Sequence, residues 1–162
     1  MNAASSDSLR LAEFSRAVRE SSLKRLKLVP ESLENWTASP GSMSFADLAH
    51  HLIEADEWLF RKLDDPSTPA MVGKAGVVTI LRRAQYESLV DRLAVLGAIR
   101  AERIASLSIP ELERLLPDER FGGEVSVWWV ITRGNLDHEA HHRGQLAAWL
   151  RALRLSIRPV QT

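Results

Sequence analysis

The stretch Asp137–Gln145, with the sequence DHEAHHRGQ, places three histidines within five residues near the end of a long helical pattern. At about 100° of rotation per residue, His138 and His142 lie on one face of a helix, while His141 lies to the side. Residues four apart on a helix have Cβ atoms about 5–6 Å apart, so both imidazoles can reach one metal ion. The stretch therefore predicts a helix that supplies two ligands of a metal site.

Four amphipathic patterns organise the chain around this stretch. Apolar residues recur at spacings of three and four, and segments rich in proline, glycine and polar residues separate the patterns. The predicted helices cover about residues 8–29, 44–63, 78–107 and 125–155, and the segment from Pro110 to Gly123 is interpreted as irregular. Ser44 and Asp47 have the spacing of a capping box. With no strong strand pattern, the sequence predicts an all-α four-helix bundle in one domain over residues 1–162.

The second predicted helix supplies a third ligand. It contains His50 and His51, and helical phase places the apolar residues on the side of His51, so His51 is expected to point into the bundle and His50 outward. The acidic side chains of the same helix, Glu54, Asp56 and Glu57, are interpreted as a solvated face. Three imidazoles with an open position are typical of a catalytic type of metal site, and nitrogen ligands suit zinc, nickel, copper or iron.

Composition limits the classes of function. The chain has 21 Lys+Arg and 21 Asp+Glu residues, so its net charge is zero and neither a nucleic-acid partner nor a membrane partner is expected. It has no cysteine, which excludes disulfides, thiolate metal sites and a cysteine nucleophile. The first residues are polar and no apolar run is long enough to span a bilayer. A cytoplasmic protein is expected.

The stretch also matches H-E-x-x-H, the motif of zinc proteases in which the glutamate is a general base. Such proteases take a further ligand from downstream, yet no His, Asp or Glu follows His142. The protease interpretation is therefore disfavoured. Glu139 remains a candidate base for a metal-bound water, Arg143 a candidate substrate-binding cation, and Gln145 a candidate hydrogen-bond partner of a ligating imidazole.

Two segments resemble the DinB/YfiT-like family of bacterial metal-binding bundles. One is residues 44–52, SFADLAHHL, and the other is residues 138–145, HEAHHRGQ, which is similar to the family signature H-x-x-x-H-R-G-Q. The resemblance implies a bundle of up-down-down-up topology, often a homodimer, with one divalent ion, commonly zinc or nickel. By position, the ligands it implies are His51, His138 and His142.

The resemblance also implies candidate activities. Some family members transfer a low-molecular-weight thiol (bacillithiol, mycothiol or glutathione) to electrophilic small molecules, and others use the thiol in an isomerisation. Because this chain has no cysteine, it would have to borrow such a thiol. Three hypotheses stand: a metal-dependent thiol transferase, a metal-dependent hydrolase with Glu139 as base, and a metal-binding protein without catalysis.

The last predicted helix suggests an assembly. Leu136 and Leu150 lie about 160° and 120° around the helix from His138, away from the side that faces the metal. Exposed apolar surface on an outer helix often marks a partner site, and two-fold dimers are the commonest oligomers. We therefore expect a homodimer whose interface includes Leu136.

Overall fold

The computed structural model describes residues 5–157, with side chains as far as Arg154. No helix within residues 5–157 is long and apolar enough to cross a membrane. The elements in chain order are α1 (Ser6–Leu26), α2 (Phe45–Asp64), α3 (Arg83–Ala105), α4 (Ile109–Glu113), β1 (Leu115–Asp118), a 3-10 turn (Glu119–Phe121), β2 (Gly123–Ser126), α5 (Val127–Ile131), a π-helical turn (Thr132–Leu136) and α6 (Asp137–Ile157). The fold is mostly helical, as the sequence predicts.

Helix α2 begins at the predicted capping box. The Ser44 hydroxyl accepts a hydrogen bond from the backbone N–H of Asp47, and the Asp47 carboxylate accepts one from the backbone N–H of Ser44, both at 3.0 Å. The same carboxylate also accepts from the three backbone N–H groups of residues 76–78, at 2.9–3.0 Å. Asp47 therefore fastens the connection between α2 and α3, the 65–82 loop, to the start of α2.

Helix α3 begins at Arg83, five residues later than the sequence predicts. The side chain of Asn35 forms two hydrogen bonds with the backbone of Ile80. Its amide oxygen accepts from the Ile80 N–H at 2.8 Å, and its amide nitrogen donates to the Ile80 carbonyl at 2.7 Å. Together with Asp47, these contacts engage backbone groups that a helix would use internally. Tertiary hydrogen bonds therefore override the apolar periodicity of residues 78–82.

The segment from Pro110 to Gly123 is more regular than predicted. It contains most of α4 and of an antiparallel hairpin in which Leu115 pairs with Ser126 and Asp118 pairs with Gly123. The prediction that this segment is irregular is therefore wrong. Each strand has only four residues, too few for a clear alternation of apolar and polar positions.

The last helical run is continuous from residue 127 to residue 157, and a π-helical turn separates α5 from α6. In a π turn the backbone hydrogen bonds span five residues instead of four, and such turns occur frequently at functional sites. This one ends two residues before His138. It therefore lies directly before the part of the helix that carries the histidine pair.

Two clusters of buried apolar side chains fill the space between the helices. Leu136 is 1% exposed and packs in the cluster that contains Leu112 of α4 and Leu116 of β1. Leu150 is also buried and packs in the other cluster, with Leu26 of α1. The expectation that Leu136 and Leu150 lie on an exposed face is therefore wrong, because α4 and the hairpin cover the side of the helix that carries Leu136.

Candidate metal centre

Three histidines meet between α2 and α6. His51 lies on α2, and His138 and His142 lie one turn apart on α6. The Nε2 atom of His138 is 3.0 Å from Nε2 of His51 and 3.0 Å from Nε2 of His142. One nitrogen of each ring lies within 4.8 Å of the others. His51 and His142 are buried and His138 is half-buried, so helical phase selected three residues that the fold brings together.

The distances from Nε2 of His138 to the other two nitrogens fit a divalent ion. At a metal–nitrogen distance of about 2.0–2.1 Å, two ligand nitrogens lie about 2.9 Å apart at a right angle and about 3.3 Å apart at the tetrahedral angle. The observed separations of 3.0 Å fall in this range. A hydrogen-bond explanation fits less well, because Nε2 of His138 faces two nitrogens and has one proton or one lone pair to offer.

The protonation states also suit a metal. Burial and the charges of neighbouring histidines lower the pKa of His51 to about 4. Burial, the other two imidazoles and Arg120 lower the pKa of His138 to about 3. Burial lowers the pKa of His142 as well, although its hydrogen bond to Gln145 opposes the shift. All three rings are therefore neutral near pH 7, which is the form that binds a metal ion.

The Nδ1 atoms of the ligands differ in their partners. Gln145 Oε1 accepts a hydrogen bond from Nδ1 of His142 at 2.7 Å, which leaves Nε2 of that ring free of a proton and directed at the cluster. This is the contact that the predicted role of Gln145 requires. The Nδ1 atom of His51 is buried and has no hydrogen-bond partner among residues 5–154.

The 65–82 loop packs directly on His51. A Cβ atom placed on Gly73 would lie 2.6 Å from Cε1 and 3.0 Å from Nδ1 of His51, and 2.8 Å from the terminal methyl of Met43. Such distances are shorter than van der Waals contact. Glycine at position 73 is therefore what lets the loop close over this edge of the imidazole.

We expect the variant Gly73→Ala to bind zinc about 10-fold more weakly or worse, because the added methyl group displaces the His51 ring. Competition with a chromophoric chelator measures this affinity. Gly144→Ala is the matched control, since a Cβ atom at Gly144, two residues after His142, meets no atom within 4 Å. Equal affinities for the two variants would contradict the close packing of Gly73 on His51.

Glu139 belongs to a separate buried ion cluster, formed with Arg19 of α1, Asp56 of α2 and Arg100 of α3. Arg19 donates to Glu139 at 2.8 and 2.9 Å and to Asp56 at 2.8 Å. Arg100 donates to Glu139 at 2.6 Å and to Asp56 at 2.9 Å. None of the four residues is more than 3% exposed. The two positive and two negative charges balance within the core.

This environment does not suit the base role suggested for Glu139. Burial alone would raise the pKa of Glu139, but the positive charges of Arg100 and Arg19 and their hydrogen bonds outweigh burial and lower it to about 2. Both carboxylate oxygens already accept hydrogen bonds from arginine. The geometry therefore favours a role for Glu139 in joining the helices over a role as general base.

The remaining candidates lie outside the cluster of Nε2 atoms. Arg143 is half-buried and makes no hydrogen bond or ion pair with another residue of the described part of the chain. His141 is exposed, with its ring centre 5.2 Å from that of His142. His50 is half-buried, with Nδ1 3.6 Å from a carboxylate oxygen of Glu54. The structure therefore gives Arg143 no specific contact that defines a substrate site.

A cation that the sequence pattern does not predict affects the pKa of His138. Arg120, in the turn between β1 and β2, donates two hydrogen bonds to the buried Asp118 at 2.6 and 2.9 Å. Its guanidinium carbon lies 4.3 Å from the centre of the Trp58 ring, and its charge contributes to the lowered pKa of His138. The position of Arg120 on this side of the bundle could be predicted only if the hairpin were predicted as well.

Comparison with known proteins agrees with this arrangement. The family model of the DinB superfamily matches residues 15–146 of the chain. A crystal structure of a DinB-like protein, YjoA, from Bacillus subtilis superposes with a TM-score of 0.66 over 93% of this chain and 95% of that chain, at 14% identity. At that identity the likeness concerns the fold alone. No curated protein matches the chain significantly.

Proposed function

This chain belongs to the DinB superfamily, and we propose that it is a divalent-metal protein that transfers a low-molecular-weight thiol to an electrophilic small molecule. The observation that carries the metal part is the convergence of three neutral imidazoles, in which Nε2 of His138 lies 3.0 Å from Nε2 of each of the other two. His51, His138 and His142 would hold one ion, zinc or nickel being the expected metals. Three protein ligands leave a coordination position for a small molecule.

The thiol part of the proposal rests on the family resemblance and on the absence of cysteine from the chain. A bound divalent ion lowers the pKa of a coordinated thiol, so that a thiolate is available near pH 7. The protein's own contribution is to keep the three imidazoles neutral, through burial, and to orient them, through contacts such as that of Gln145 with His142. The small molecule that accepts the thiol is not specified beyond its being an electrophile.

The alternative hypotheses receive less support. A metal-dependent hydrolase would use Glu139 as base, and this carboxylate is held by two arginines. A purely structural ion would be expected where the protein has no other means of joining its helices. The buried ion cluster already joins α1, α2, α3 and α6, so the fold does not depend on the ion alone.

We also infer that the four long helices follow the up-down-down-up order. Along the contacts between α2 and α3, residue numbers rise together in both helices, so these two helices are parallel. Along the contacts of α1 with α3 and of α2 with α6, residue numbers rise in one helix and fall in the other, so these pairs are antiparallel. The pairs are Asp56–Arg100 and Asp64–Arg103, then Ser8–Ala105 and Leu26–Tyr86, then His51–His138 and Ala55–Asn135.

A single domain over residues 1–162, a homodimer and a cytoplasmic location complete the proposal. The dimer now rests on the resemblance, because Leu136 is buried.

Cobalt substitution tests the proposed function. We expect the cobalt-loaded protein to develop a sulfur-to-metal charge-transfer band when glutathione, mycothiol or bacillithiol is added, because the thiol takes the position that the three histidines leave open. The oxidised form of the same thiol is the control and should leave the spectrum unchanged. A spectrum that none of the three reduced thiols alters would exclude the thiol transferase and leave a metal-binding protein.

A further inference from the structure

The Nδ1 atom of His51 needs a hydrogen-bond acceptor that the other two histidines of the site do not supply. Its ring directs Nε2 at the cluster, so when Nε2 binds a metal the ring proton must reside on Nδ1. That atom is buried without a hydrogen-bond partner among residues 5–154. A buried N–H group without an acceptor is destabilising, and ligating histidines almost always donate this proton to an acceptor.

One carboxylate lies next to this atom. Oε2 of Glu54 is 3.9 Å from Nδ1 of His51, which is too long for a hydrogen bond but short enough for a small side-chain rotation to close. The Glu54 side chain is 41% exposed and has no hydrogen bond to another residue within 5–154 that would hold it in place. It is therefore free to turn toward His51.

His142 and its acceptor Gln145 have the same spacing along α6 as His51 and Glu54 have along α2. Gln145 follows His142 by three residues and binds its Nδ1 atom at 2.7 Å. Glu54 follows His51 by three residues on α2. Residues three apart on a helix are neighbours, so the same local geometry that brings Gln145 to His142 can bring Glu54 to His51.

We propose that Glu54 is a positioning residue of the metal site, which accepts a hydrogen bond from Nδ1–H of His51 when the three histidines hold a divalent ion. The proposal rests on the metal binding proposed above. A carboxylate in this position fixes the orientation of the ring and raises the basicity of its other nitrogen. Glu54 then supports the metal without touching it.

His50 competes for the same carboxylate, since its Nδ1 atom lies 3.6 Å from Oε2 of Glu54. The His50 side chain is 30% exposed, so water can serve its Nδ1 atom. Water has less access to Nδ1 of His51, because Gly73 of the 65–82 loop packs against that edge of the ring. The greater need for an acceptor is therefore on His51.

Zinc affinity, measured by chelator competition, tests this proposal. We expect Glu54→Ala to weaken zinc binding about 10- to 100-fold, and Glu54→Gln, which keeps an acceptor oxygen, to recover much of the loss. Glu57→Ala is the matched control, because Glu57 lies on the same helix and pairs with Arg92 at the surface. It should bind zinc as the unmodified protein does.

Histidine-labelled nitrogen NMR of the zinc-loaded protein gives a second readout. We expect a hydrogen-bonded Nδ1–H proton on His51 that is protected from exchange with water, lost in Glu54→Ala and retained in Glu57→Ala, while the Nδ1–H signal of His142 persists in both. If Glu54→Ala binds zinc as tightly as the unmodified protein, only the role of Glu54 is overturned. If the unmodified protein binds no zinc, the proposed function fails as well.

Discussion

His138→Ala is expected to abolish stable metal binding, and this is the largest effect we predict at the site. Nε2 of His138 lies 3.0 Å from the Nε2 atoms of both other histidines, so its loss removes the central member of the set. Loss of an outer partner of a ligand costs about 10- to 100-fold in affinity, and loss of a direct ligand should exceed that. Metal content of the purified protein and zinc affinity measure the effect.

His141→Ala is the matched control, since it removes the same side chain three residues away on the same helix. His141 is exposed and lies outside the group of nitrogens that can share an ion, so metal content should stay close to one ion per chain. On α2, His51→Ala should lose the metal and His50→Ala should keep it. The opposite pattern on either helix would show that a different set of histidines holds the ion.

The three histidines could be predicted from the sequence because their arrangement depends on local geometry. His138 and His142 are one turn apart in any helix, and the apolar neighbours of His51 mark which of two adjacent histidines faces inward. The fold then needs only to bring two helices together. The same local reasoning identified the capping box of Ser44 and Asp47, which the structure confirms.

The buried ion cluster is not predictable from local sequence patterns because its partners are distant along the chain. The acidic composition around Asp56 predicts a solvated face, although Asp56 lies four residues after Leu52 and three before Leu59, on the buried stripe of α2. That spacing was the available signal. An acidic residue on an apolar stripe is credible only with a partner, and Arg19 and Arg100 lie 37 and 44 residues away.

The parts of the site that escaped prediction depend on loops. Gly73 contacts His51 because Asp47 holds residues 76–78, and no periodic pattern encodes that contact. Arg120 lies near enough to lower the pKa of His138 because a hairpin of two four-residue strands carries it there. Sequence periodicity reports which face of an element is buried, but it does not report which irregular segment covers that face.

The variant Asp56→Asn is expected to cause a large loss of stability. Asp56 is fully buried and balances the charges of Arg19 and Arg100 together with Glu139. Removing one charge leaves the core with an unbalanced positive charge, and breaking a buried ion pair in this way costs about 3–5 kcal/mol in the free energy of unfolding. For a chain of this size the melting temperature should fall by roughly 6–20 °C. Thermal and urea unfolding followed by circular dichroism measure both quantities.

Glu57→Gln provides a control that changes the net charge by the same amount at the next residue. Glu57 pairs with Arg92 at the surface, where an ion pair contributes about 0–1 kcal/mol, so this variant should unfold close to the unmodified protein. Metal content should be similar in both folded variants, since neither residue belongs to the three-histidine group. Equal destabilisation by Asp56→Asn and Glu57→Gln would contradict the role assigned to the buried cluster. Loss of metal in Asp56→Asn at temperatures where the variant is still folded would instead show that the cluster positions the histidines as well as stabilising the bundle.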